Sequence, residues 1–121
     1  MRDLVDAQLE RHPIEVQRLL EAASVAGTEF TPASLAAALE MDPAQVERTC
    51  ERLARQGQFI DDWGVTQLPD GTLDGRYGFR YALYRDVLAA RLGPGQRARL
   101  RAALGIRSEP ARFRVSGRPA R

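Results

Sequence analysis

Between Pro13 and Ala26 the apolar residues Val16, Leu19, Leu20 and Ala23 recur at helical spacing, with Glu15, Gln17, Arg18 and Glu21 between them. Such a stripe predicts a helix that buries one face, and Gly27 follows it as a C-terminal stop. Residues 1–12 carry only the weak marks Leu4, Ala7 and Leu9, and read as an exposed helical lead-in that Pro13 separates from the next helix. Thr31 before Pro32 sets a hydroxyl at N-cap and a preset φ at the first helical position. This predicts a short helix from Pro32 to about Glu40 with Leu35, Ala38 and Leu39 inward. Asp42, Pro43 and Gln45 repeat the device, with Asp42 expected to accept a backbone N–H and Gln45 at the capping-box position. The helix they open carries Val46, Cys50 and Leu53 on one face, and Gly57 suits the left-handed residue that ends it. Two helices around the turn Glu40–Asp42 have the layout of a helix-turn-helix.

Past Gly57 the period changes. Gln58-Phe59-Ile60 predicts a short strand, Trp63 to Leu68 a second, Pro69-Asp70-Gly71 a turn, and Arg76 to Arg80 the returning strand. Trp63 and Tyr77 are expected to pack this hairpin on the helices. Tyr84, Val87 and Leu88 then mark a helix that should end at Gly93-Pro94-Gly95, and residues 96–104 predict one more. The expected fold is mainly α with a small β-hairpin, a winged helix followed by one or two helices. Its expected divisions are a helical lead-in at 1–12, the winged-helix domain at 13–92, the start of a following helix at 96–105, and an Arg/Pro-rich tail at 106–121. That tail is expected to be disordered, because its low apolar content cannot offset the entropy of ordering.

Composition narrows the chemistry. A single cysteine, Cys50, allows no intrachain disulfide, and with His12 as the sole histidine it cannot build a closed structural zinc site. Cys50 falls in a core stripe and reads as a small hydrophobe, and His12 reads as a surface histidine. All 18 basic residues are arginine, so a P-loop would lack its lysine and a Schiff-base enzyme its amine. The acids are spread over solvent-facing helix positions and turns, and the adjacent Asp61 and Asp62 should point to opposite faces of a strand. No enzyme is expected. No apolar run nears the roughly 20 residues that cross a bilayer, and residues 1–15 lack the marks of a secretory signal. The expected setting is cytoplasmic, without a membrane partner.

The net charge of +2 hides a polarity. Residues 1–74 carry six arginines against 14 acids, a net of −8, and residues 75–121 carry 12 arginines against two acids, a net of +10. Such a dipole can steer an acidic partner toward the basic end, or can be satisfied internally.

Three segments, Leu20-Glu21-Ala22-Ala23-Ser24-Val25-Ala26-Gly27-Thr28-Glu29-Phe30, Cys50-Glu51-Arg52-Leu53-Ala54-Arg55-Gln56-Gly57 and Phe79-Arg80-Tyr81-Ala82-Leu83-Tyr84-Arg85-Asp86-Val87-Leu88, stand in this order. Together they resemble the winged-helix region of bacterial STAND-class (AAA-like) signal-transducing regulatory ATPases, over about residues 14–104. The resemblance implies a nucleotide-binding domain before this region and helical repeats after it, with ATP or ADP held in the adjacent domain. It implies a non-catalytic adaptor that relays nucleotide state through intramolecular contacts, in proteins many of which are transcriptional regulators. It also implies a histidine after the wing, close to the nucleotide phosphates. The corresponding residue is Tyr81, whose phenol donates a hydrogen bond but carries no charge near neutral pH. With no such domain before Met1 and an arginine-rich end where repeats are implied, the chain reads as a fragment. Arg76, Arg80 and Arg85 are expected to face the acidic or nucleotide-bearing neighbour.

A small DNA-binding winged helix is the alternative, with the helix from Pro43 to Gln56 as reader and Arg48, Arg52 and Arg55 as its contacts. Its outward face also carries Glu47 and Glu51, leaving a net of only +1. Carboxylates repel phosphates, and Glu51 with Arg55 is expected to form an i, i+4 pair, so a protein-facing surface is the favoured reading. The arginines from Arg97 to Arg121 have only Phe113 as an aromatic companion and read as a solvated face and tail.

Overall fold

The computed structural model describes residues 2–105, and the expected tail at 106–121 lies outside them. Helix α1 (Arg2–Glu10) leads into α2 (Ile14–Ala26), which starts after Pro13 as expected. Strand β1 (Glu29–Phe30) precedes α3 (Pro32–Leu39) and α4 (Pro43–Arg55). The hairpin strands β2 (Ile60–Gln67) and β3 (Leu73–Phe79) follow, then α5 (Ala82–Ala90) and α6 (Pro94–Ala103). The three strands form one antiparallel sheet in the order β1-β3-β2, so the architecture is mainly helical with a small sheet. Among the described residues no helix is long and apolar enough to cross a membrane.

The core forms where the helical stripes meet the inner face of the sheet. Leu19 and Leu20 of α2, Leu35 of α3, Val46, Cys50 and Leu53 of α4, Ile60 of β2 and Leu88 of α5 are all fully buried. The stripe read from the sequence on α4 is thus the one that packs. On α3 it is displaced, because Pro32 and Ala36 are buried with Leu35 and Ala38 is only half-buried. Helix α1 is no exposed lead-in: it buries Val5 and Leu9 against α2 and α5, and leaves Leu4 and Ala7 outside.

Caps show where local chemistry suffices. The Thr31 hydroxyl accepts from the Ser34 N–H (3.3 Å), as expected of an N-cap. A second donor of the same helix end, the Ala33 N–H, is taken by the Asp74 carboxylate of β3 at 2.9 Å, across 41 residues of sequence. Asp42 makes no such bond at the start of α4, which relies on Pro43 at its first position. Helix α3 ends on Glu40 in the left-handed region (φ 56°), which lets the Met41 N–H reach back to the Ala36 carbonyl (3.0 Å). Helix α6 starts two residues before the predicted position because Pro94 follows Gly93, whose N–H is capped by the Gln96 side chain (3.0 Å).

The sheet departs from its predicted outline in three ways. Strand β1 was not anticipated, since two residues carry no periodicity, and β2 is one continuous strand where two were expected. A bulge between Asp62 and Val65, fixed by the Gly64 N–H bonding Asp62 Oδ1 at 2.8 Å, absorbs the interruption. The bulge also re-aims Trp63. Rather than packing the hairpin on the helices, its ring lies over Gly78 and stays 41% exposed, whereas Tyr77 turns inward as expected. A side chain at Gly78 would overlap that ring.

One arginine ties three helices. Arg91, just after α5, donates from Nε to Glu21 of α2 (3.1 Å) and from Nη1 to Asp6 of α1 (2.9 Å). Burial opposes its charge, but these two carboxylates outweigh that penalty and hold its pKa above the ordinary value. Replacing Arg91 with Met should lower stability by about 1–2 kcal/mol, because it leaves both acids half-buried and unpaired. Asp74→Ala should cost about 1 kcal/mol through the lost cap of α3. Urea unfolding checks both, with unchanged midpoints refuting these assignments.

Candidate functional site

Two neighbouring surfaces, one on each side of α4, hold the residues singled out by sequence. The first grows from the turn that ends α4. Gly57 takes the left-handed conformation (φ 67°), as read from the sequence, and the buried Phe59 takes it too (φ 68°). The Ile60 N–H bonds the Gln58 carbonyl at 2.7 Å, which makes Phe59 the centre of a γ-turn that only a firm setting holds in a non-glycine residue. That setting is aromatic. The Phe59 ring meets His12 edge-on at 5.9 Å and Tyr84 at 5.2 Å, and Tyr84 meets Tyr81 at 5.5 Å. The Phe59 carbonyl accepts the Arg80 N–H (2.9 Å), which fixes the end of β3 and the start of α5 against the turn.

Tyr81 stands at the N-cap of α5, 59% exposed, with the Arg80 guanidinium 5.9 Å from its ring centre. Its side chain makes no cap bond, so the hydroxyl is available to a neighbour. Beside it lies a cleft of about 190 Å³ lined by Gln8, Arg11, His12, Gly57, Gln58, Phe59 and Tyr84. His12 is therefore half-buried rather than a surface residue. Burial and then the Arg52 charge hold its pKa below the usual 6.5, with a hydrogen bond from the ring to the Gln58 side chain working the other way.

The three arginines expected to face a partner are each engaged within the chain. Arg76 pairs with Glu29 (3.3 Å) and donates to the Trp63 carbonyl (3.0 Å). Arg80 pairs with Asp61 (3.5 Å) and Arg85 with Asp86 (3.8 Å). They lie on the sheet, at its exit and on α5, and do not form one patch. Arg48, Arg52 and Arg55 are exposed on α4 and form no ion pair within 4 Å among the described residues. The expected Glu51–Arg55 pair is accordingly not closed.

The second surface is the cleft between α4 and the hairpin, about 440 Å³, lined by Glu51, Ala54, Arg55, Asp62 and Tyr77. Sequence reading passed over it, since its residues come from α4, β2 and β3 and share no local pattern. The nearest signal was Gly75, two residues before Tyr77 and hence on the same face of β3, where the Tyr77 ring occupies the space of a missing side chain. As read from the sequence, Asp61 and Asp62 serve different faces, the first toward Arg80 and the second toward this cleft. Beneath it lies Cys50, whose thiol is pushed up to about 12 by burial and then by Asp74, Glu47 and Glu51. Burial likewise pushes the Tyr77 phenol up to about 12, with Cys50, Glu51, Asp62 and Glu47 adding to it.

No protein-family model, curated protein or solved structure matches the chain.

At pH 8 the shift at Cys50 cuts its thiolate fraction from about a tenth to about one part in ten thousand. Native protein should therefore resist iodoacetamide at that pH and react once unfolded; rapid native labelling would contradict the burial. For His12 the native pKa is the lower one, so stability is complete above about pH 6.5 and is lost as pH falls below it, where only the unfolded chain takes the proton. The urea midpoint of the chain should fall between about pH 7.5 and about pH 5.5 more steeply than that of His12→Gln. Equal slopes would place the His12 proton elsewhere.

Proposed function

We propose that the chain is a winged-helix module of the STAND type, a cytoplasmic, non-catalytic adaptor that works through protein contacts. The order of elements supports this reading: a helix, a short strand, a helix-turn-helix pair, and a hairpin whose returning strand lies between the other two. The carrying observation is the charge beside α4. In a DNA-reading winged helix, the flank between reader helix and wing meets phosphates, and here Glu51 and Asp62 line that flank. The face turned to a nucleotide-bearing domain is then the opposite one, where Tyr81 and Arg80 offer a phenol and a guanidinium side by side, with ATP or ADP bound in that neighbour. Arg76 and Arg85, expected at the same face, are paired to Glu29 and Asp86 and lie apart from it.

DNA binding is the second reading, favoured by the unpaired Arg48, Arg52 and Arg55. Duplex titrations at several salt concentrations separate the two. The adaptor reading expects weak, sequence-indifferent binding that fades with salt; tight, selective binding abolished by Arg52→Ala and Arg55→Ala would replace it with the alternative. A STAND nucleotide-binding domain loaded with ADP should bind the chain, and Arg80→Ala or Tyr81→Ala should weaken that binding about tenfold. Binding indifferent to both substitutions would remove this face from the proposal.

A further inference from the structure

The cleft at the α1–α2 junction holds positive charge that no acid answers. Arg11 and His12 line it from the junction, Gln58 and Phe59 from the turn after α4, and Tyr84 from α5. Arg11 closes no ion pair within 4 Å among the described residues. Arg52 of α4 closes none either, although its charge reaches the His12 ring. One helical turn either side of Arg52 stand Arg48, Thr49, Arg55 and Gln56, so no acid occupies a position from which it would pair. The Arg80 guanidinium lies against Gly57 of the same turn, but Asp61 takes its charge (3.5 Å). The charge acting on His12 is therefore that of Arg52, with no carboxylate set against it among the described residues.

Geometry and chemistry limit what fits. At about 190 Å³ the cleft falls below the roughly 300–1,000 Å³ of a drug-sized site, which leaves room for a few heavy atoms. The Phe59 and Tyr84 rings, edge-on at 5.2 Å, wall it on the side of the turn, so part of any occupant meets apolar surface. Arg11 brings a planar fork that holds a carboxylate through two parallel bonds. His12, kept below its usual 6.5, is neutral near pH 7, so one negative charge balances the lining. A dianionic phosphate would bring a second charge to be desolvated against the rings. We propose that this cleft binds a single carboxylate on a short apolar stem, with Arg11 holding the oxygens and the Phe59 and Tyr84 rings holding the stem. A free short-chain carboxylic acid and a glutamate side chain of another protein offer this same chemistry. Once bound, the group ties the α1–α2 junction to the turn after α4 and to α5.

The test follows the His12, Phe59 and Tyr84 ring signals of the full chain by NMR while sodium butyrate is added at constant ionic strength. They should shift and saturate with a Kd of about 1 mM. Arg11→Gln should weaken binding about tenfold, as for lost bonds to a charged group, and Arg52→Gln, which acts through its field alone, about threefold. Arg11 is exposed, so its variant should keep the parental melting temperature, which separates loss of the site from loss of the fold. Butyramide, alike in shape but uncharged, should not bind. A capped Ala-Glu-Ala peptide, with Ala-Gln-Ala as its control, distinguishes the sources: butyrate binding ahead of it assigns the cleft to a free acid, and the reverse order assigns it to a protein side chain. No nucleotide-bearing domain is present in either arm, so the result is independent of the adaptor reading. The proposal is overturned if butyramide binds as well as butyrate, if inorganic phosphate binds ahead of both carboxylates, if sodium chloride produces the same shifts, or if Arg11→Gln leaves the affinity unchanged.

Discussion

The fold hinges on a γ-turn at Phe59. A non-glycine residue with φ of 68° costs on the order of 1–3 kcal/mol, so its neighbours must hold it there. They come from every part of the chain: His12 from the α1–α2 junction, Tyr84 from α5, and the Arg80 N–H from the end of β3. Each of these contacts is also what sets one element's position relative to the others. With the turn in place, α4 ends, β2 starts and α5 leaves the sheet at fixed angles. Were the turn to relax to negative φ, the Phe59 carbonyl would swing away from Arg80, and Tyr81 would lose its place at the head of α5.

Electrostatics add a second tie between the halves of the sequence. Three arginines of the basic second part pair with four acids of the first, Arg91 with Asp6 and Glu21, Arg76 with Glu29, and Arg80 with Asp61. Part of the polarity visible in the composition is therefore internal glue. Beside it, among the described residues, stand arginines along α4 without an ion pair and the carboxylates Glu51 and Asp62 in the cleft next to them. A surface divided in this way discriminates between partners by charge within a few ångströms, which a uniformly basic face does not do.

Much of the helical layout was legible in the sequence because the signals are local. The Val46, Cys50 and Leu53 stripe, the Thr31 cap, and the glycine after α4 each act within a turn of the chain. The failures share the opposite property. Strand β1 exists only because β3 lies beside it, Trp63 faces outward only because a bulge re-aims it, and α1 is buried only because α5 and Arg91 come back to meet it. The site residues divide the same way. Tyr81 could be placed at a helix start from its neighbours, but the cleft of Glu51, Asp62 and Tyr77 is made by three elements distant in sequence. Asp42 shows the converse limit: the same arrangement of capping residue and proline that caps α3 at Thr31 leaves α4 without a side-chain cap.

The carboxylate of Asp74 carries a consequence for how the chain folds. It satisfies an amide at the head of α3 that lies 41 residues earlier, and no nearer side chain takes that donor. Helix α3 is complete only once the hairpin has closed and docked, so a long loop must be ordered before the bond repays it. The bond couples the helix-turn-helix pair to the hairpin: fraying at the Asp74 end of β3 is felt as a loosened head of α3.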